Sequence, residues 1–277
     1  NNAISAQRDI LLASTSNDAA AMALTDAALT AGRDMKLDAS QGGLAMQRTR
    51  VIAGGAFGVT AGNAGFDSST LAAASMNIAS QGALHLGNTG VQASGDIRLA
   101  SGGATAIGAG DTQAVQSTGG RIDIEAAGGF SNEGTISADA GAVTIRAGQQ
   151  LVNNGTVNAG TDLSVADAAG GASQAIDNKG TLIAGQGIDV RGAAVGNSGW
   201  MQAGTDAAVA ADTLTNSGNI VALGGTAQLR VDGTLSNTGK VQAAKDITLS
   251  ARDGARAAQL DNLGEMRALG AMQVAAT

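Results

Sequence analysis

Cysteine, proline and tyrosine are absent from the 277 residues, and the chain has one tryptophan, three phenylalanines and one histidine. Without cysteine there is no disulfide, no thiolate metal site and no cysteine nucleophile. Without proline, nothing removes a backbone donor from a shared hydrogen-bonded ladder. With so few aromatics, the apolar content rests on Ala, Val, Leu and Ile, which suits a narrow core. No run of about 18 apolar residues occurs, so no membrane span is expected. Net charge is −7 and no Lys/Arg cluster is present, which argues against nucleic acid as a partner. The opening "NNAISAQRDI" has neither Met nor a signal-peptide pattern, so it reads as an internal piece of a longer chain or a processed form.

Glycine is abundant, with 42 residues. It lacks the three-residue period of collagen. Disorder is the other reading of a Gly- and Ser-rich chain, and it predicts no regular apolar spacing. The spacing is regular. Seven segments fit one template: apolar, x, Asn, x, Gly, x, apolar, x, Ala. They start at Phe130, Leu151, Ile176, Val195, Leu214, Leu235 and Leu260, and their asparagines are Asn132, Asn153, Asn178, Asn197, Asn216, Asn237 and Asn262. A shortened copy runs from Leu86 to Val91.

Each segment is followed by a dyad, two apolar residues separated by one. Thirteen dyads begin at residues 10, 35, 57, 76, 97, 122, 143, 163, 188, 207, 227, 247 and 272, at intervals of 19–25. Self-similarity at this period marks a solenoid, and period-two alternation makes its elements strands. Three short strands per coil use about 20 residues, which is a parallel β-helix. Its hand is expected to be right, as for nearly all parallel crossovers. The fold class is therefore all-β, a right-handed parallel β-helix of about 13 coils. It reads as one continuous solenoid, with degenerate repeats over 1–129 and regular ones over 130–277.

Within "LTNSGNIVA", residues Leu214, Asn216, Gly218, Ile220 and Ala222 are expected to face inward, and Thr215, Ser217, Asn219 and Val221 outward. The recurring asparagines are expected to bond one another coil over coil, which satisfies polar groups otherwise buried unpaired. The recurring glycine is expected to supply φ > 0 at a turn. The final Ala keeps a corner narrow. Phe57 and Phe130 fall at inward positions and read as core.

Units such as "LVNNGTVNAGTDLSV", "IDNKGTLIAGQGIDV" and "LSNTGKVQAAKDITL" resemble the repeats of filamentous haemagglutinin-family exoproteins. These are the long adhesins and contact-dependent growth-inhibition toxin carriers that Gram-negative bacteria export by two-partner secretion. The resemblance is good over residues 130–274 and looser over 1–129. It implies a rigid shaft segment, secreted or at the cell surface, that projects a distal domain. It also implies export through an outer-membrane two-partner secretion transporter, by way of a region absent here, and a receptor on a host or neighbouring cell. That secretion domain carries an Asn-Pro-Asn-type motif, so a chain without Pro is expected to lack it. No region resembles a C-terminal toxin domain.

No catalytic, cofactor or metal residues are expected, and the chain does not read as an enzyme. His85 lies between Leu84 and Leu86 and should face solvent, and one His without a second His or Cys does not make a zinc site. Asp9, Asp34, Asp96, Asp162, Asp206 and Asp246 each precede a dyad. Stacked calcium-binding carboxylates are one reading, but these Asp are mostly not in successive coils, and turn formation is the simpler one. Two alternatives to the shaft remain. A receptor- or glycan-binding module would use the single Trp200, expected outward, or the longer coils of 25 residues. The densest charge in such a coil is Arg252, Asp253 and Arg256, which reads either as a contact site or as a solvated surface. A polysaccharide-acting enzyme would need charged groups gathered on one face, whereas here they are scattered.

Overall fold

The computed structural model describes residues 2–110, 115–167, 175–254 and 259–275. These residues form strands and turns without a helix, and every strand pairing given for them is parallel. The fold is a parallel β-solenoid. Backbone proximity divides the chain into two compact units, Asn1–Gly141 and Ala142–Thr277.

In the second unit each coil has three strands. The first carries the dyad, the second the asparagine, and the third the apolar-x-Ala pair. One full coil runs Ala207–Ala211, Thr213–Asn216 and Asn219–Ala222. The next runs Ala227–Val231, Thr234–Asn237 and Lys240–Ala243. Each strand pairs with its counterpart one coil on, so Val209 lies on Leu229, Leu214 on Leu235 and Ile220 on Val241. All seven dyads of this unit stack in that register, from Val143 on Leu163 to Ile247 on Met272.

The first unit repeats the plan with the same three columns. Its six dyads stack from Ile10 on Met35 to Ile97 on Ile122. In two coils the first and second strands merge into one long strand, Met35–Gln47 and Ala56–Asp67, with a register shift between Ala39 and Gly43.

Alternation explains the core. Inward residues are buried column by column: the dyads, the second-strand pair, then a large aliphatic and a small residue on the third strand. That last column reads Leu29/Ala31, Val51/Ala53 and Val91/Ala93 in the first unit, and Val157/Ala159, Leu182/Ala184 and Met201/Ala203 in the second. Phe57 and Phe130 are core residues, as their positions require. In sequence, the extra residues of three 25-residue coils lie between the first and second strands, with 168–174 and 255–258 outside the described residues. In the coil of Ile97 they fall between second and third.

Candidate functional site

The most organised polar feature is the asparagine column of the second unit. The Nδ2 of each asparagine donates to the Oδ1 of the next: Asn153 to Asn178, Asn178 to Asn197 and Asn197 to Asn216 at 2.8 Å, Asn216 to Asn237 at 2.7 Å, and Asn237 to Asn262 at 2.6 Å. Every amide points the same way along the column. Asn153, Asn178, Asn197, Asn216 and Asn237 are no more than 1% exposed. The backbone closes the same corner. The carbonyl of Asn197 accepts the N–H groups of both Ser217 and Gly218, one coil on, and that of Asn216 accepts those of Thr238 and Gly239. A buried amide alone costs free energy, and this arrangement leaves none unpaired. Asn132, also fully buried, bridges Gly134 through both amide atoms.

The glycine of the repeat corrects an expectation. It was expected to provide φ > 0. Among the described residues Gly254 is the one glycine with positive φ. A Cβ on Gly199, Gly218, Gly239 or Gly264 would instead overlap the carbonyl oxygen of the equivalent glycine one coil back. Close approach of successive backbones, not a left-handed turn, selects glycine here.

The first unit builds the same corner differently. Where the second unit has asparagine, register places Leu24, Met46, Phe66, Leu86 and Ile107, ending at Asn132. The turn that follows contains a left-handed non-glycine residue: Asp26, Arg48, Ser68 or Asn88, with φ of 45–50°. In three of these coils the next residue is a buried hydroxyl. The N–H of Thr49 donates to Ser69 Oγ at 3.1 Å and that of Ser69 to Thr89 Oγ1 at 3.3 Å, while Ser69 and Thr89 each donate to a carbonyl two residues back. The shortened copy at Leu86–Val91 belongs to this type: Leu86 fills the column slot and Asn88 sits in the turn. This hydroxyl column was missed in the sequence. Its signal is the 20-residue spacing of Thr49, Ser69 and Thr89, each two residues before an inward Val or Leu.

The six aspartates before the dyads have a shared role. Each Oδ1 accepts a backbone N–H one coil on: Asp9 from Asp34, Asp34 from Ala56, Asp96 from Arg121, Asp162 from Gly187, Asp206 from Thr226 and Asp246 from Ala271, at 2.7–3.2 Å. They are inter-coil caps, a role that neither the calcium reading nor the local turn reading names. The N–H from Asp34, then the Arg33 guanidinium, holds the Asp9 carboxyl below its usual range. Arg48, bonded through two nitrogens, does the same for Asp26.

The outward candidates are dispersed. Trp200 points outward and is 38% exposed. It lies between Thr181 and Asn219 of the flanking coils, and its Nε1–H donates to Gln202 Oε1 at 3.2 Å. Val221 departs from simple alternation: it sits at an outward position yet is only 9% exposed. It lines a notch of about 210 Å³ with Leu223, Gln242, Ala244, Arg267 and Leu269. Small Ala244 leaves the gap between the two leucines.

Arg252 is not a loose loop charge. Its Nε bonds Asp232 at 2.6 Å, its backbone N–H bonds the same carboxylate, and a terminal nitrogen pairs with Asp212 one coil further back. It thus clamps three coils. Asp253 follows it in a turn, and Arg256 lies outside the described residues. His85 is exposed, as alternation requires. Among the described residues no three of His, Cys, Asp and Glu converge as a metal-ligand set, and no helix is long and apolar enough to cross a membrane. No family model, curated protein or solved structure matches this chain.

Proposed function

We propose that the chain is a rigid shaft segment of a secreted or surface-exposed bacterial exoprotein of the filamentous haemagglutinin type, built as a right-handed parallel β-helix. Its role is mechanical: it carries a distal adhesive or toxic domain away from the cell. The observation that carries this reading is the unbroken amide chain from Asn153 to Asn262. Its polar groups are spent on neighbouring coils, which resists bending and slippage between coils. The repeat resemblance supplies the rest: export through a two-partner secretion transporter, a Gram-negative source, a receptor on another cell, and no catalysis by this segment. Solenoids of this kind fold coil on coil, which suits a chain that emerges progressively.

Electron micrographs of producing cells, labelled with antibody against residues 142–277, test the proposal. Label partway along thin projections is expected. Label confined to their tips contradicts a spacer and favours a binding module. That second reading rests on the exposed indole of Trp200, held in place by Gln202.

A further inference from the structure

We infer that the outer face of the first strands in the second unit binds a linear acidic polysaccharide, one in which a uronic acid alternates with a neutral sugar. The inference rests on strand register and side-chain chemistry, and it holds whether or not the solenoid serves as a shaft.

Charges that are scattered in sequence gather here in one column. Register stacks Arg146 on Ala166, Ala166 on Arg191, Arg191 on Ala210, Ala210 on Arg230 and Arg230 on Ser250. All lie at outward positions of their strands, and the three arginines are exposed. Paired strands lie about 4.8 Å apart, so a guanidinium recurs every second coil, at roughly 9.6 Å. Ala166 and Ala210 carry nothing beyond Cβ and leave recesses between the arginines. The next outward column steadies two of them. Asp189 holds Arg191 through Nε at 3.0 Å and a terminal nitrogen at 2.6 Å, and Gln228 Oε1 accepts from Arg230 at 3.0 Å. Each guanidinium has five N–H donors, so both keep donors for a further oxygen. The carboxylates at the following corner, Asp212 and Asp232, are engaged by Arg252.

This row specifies its ligand by charge and by spacing. A guanidinium pairs with a carboxylate through two parallel hydrogen bonds. In an extended polymer with one carboxylate per disaccharide, the charge repeats over a length close to two coils. Successive carboxylates then meet Arg146, Arg191 and Arg230, while the neutral sugars lie over the alanines. Several weak contacts on one polymer reinforce one another. A nucleic-acid strand carries its phosphates at about 3.4 Å, and the row would leave most of them unpaired. The chain as a whole carries −7, which repels polyanions elsewhere and confines such a ligand to this column.

Hyaluronan oligosaccharides, with one carboxylate per disaccharide, are the probe. Dextran sulfate is the comparison, a densely charged polymer without that period. Binding to the full chain is read by calorimetry at low salt. Changing Arg146, Arg191 and Arg230 together to Ala should weaken hyaluronan binding roughly tenfold or more. Arg191→Ala combined with Ala210→Arg keeps the charge and breaks the period. That exchange should weaken hyaluronan about fivefold and leave dextran sulfate unchanged. Asp189→Asn removes the competing carboxylate and should tighten hyaluronan about threefold, a gain that misfolding cannot produce. Urea midpoints should match across the variants, since every position faces solvent. Hyaluronan that fails to bind the unsubstituted chain, binds the triple variant as well, or binds the exchange variant as well would overturn the proposal. So would parallel losses for the two polymers.

Discussion

The two units solve one corner with two chemistries. At the column slot the second unit places hydrogen-bonded amides, while the first places Leu24, Met46, Phe66, Leu86 and Ile107. The first then closes its turn with left-handed residues and buried hydroxyls, Thr49, Ser69 and Thr89. The fold therefore does not depend on asparagine as such. It requires a filled slot and a satisfied turn. The amide solution satisfies both with one residue type, but each member depends on the next. The apolar solution separates the two tasks, so each is locally replaceable.

That contrast can be broken in order of effect. Leu86→Asn puts an amide between Phe66 and Ile107, where neither side chain can pair with it. Lost apolar burial and an unpaired polar group together should cost about 4 kcal/mol, read as a lower urea midpoint. Asn197→Leu takes from Asn178 Nδ2 its side-chain acceptor, leaving it the Trp200 carbonyl at 3.3 Å, and takes from Asn216 Oδ1 its Asn197 donor. A cost of about 3 kcal/mol is expected. Changing Asn178, Asn197, Asn216 and Asn237 to Leu together should cost much less than four single changes, because partners disappear with one another. Additive costs would show that the column is not a cooperative unit.

Smaller effects sharpen the comparison. Gly218→Ala drives a Cβ into the Gly199 carbonyl and should cost about 2 kcal/mol. Gly65→Ala in the first unit meets only ordinary contact at 3.9 Å and should change the thermal midpoint little. Ser69→Ala removes the acceptor for Thr49 N–H and should cost about 1 kcal/mol.

Acid has the least effect, and in the first unit. The Arg48 guanidinium holds the Asp26 carboxyl below its ordinary value of 3.8. Asp38 is lowered chiefly by the Ser40 hydroxyl and then by Lys36. Depressed folded values add stability above the unfolded pKa, and that stability disappears as pH falls through the folded one. A small loss of first-unit protection below pH 3.8 should therefore appear in hydrogen exchange. The amide column does not titrate.

Much of this architecture is legible in the sequence. The thirteen dyads and seven template copies predicted the strands and their stacking, because period-two burial leaves a direct imprint on residue type. Asn153 to Asn262 were readable as a ladder for the same reason: a buried amide recurring at one phase has few other uses. Three things were not legible. The glycine preference comes from contact between coils about 20 residues apart, which no local turn rule reports. The burial of Val221 depends on Leu223 and neighbouring coils. The clamp of Arg252 on Asp212 and Asp232 depends on which corner residues stack, which spacing alone does not fix.

The most direct test of the asparagine column is side-chain amide hydrogen exchange, measured by NMR on the full chain. The Nδ2 protons of Asn178, Asn197, Asn216 and Asn237 should exchange far more slowly than those of exposed Asn262. Uniformly rapid exchange across all five would contradict a buried, mutually bonded column.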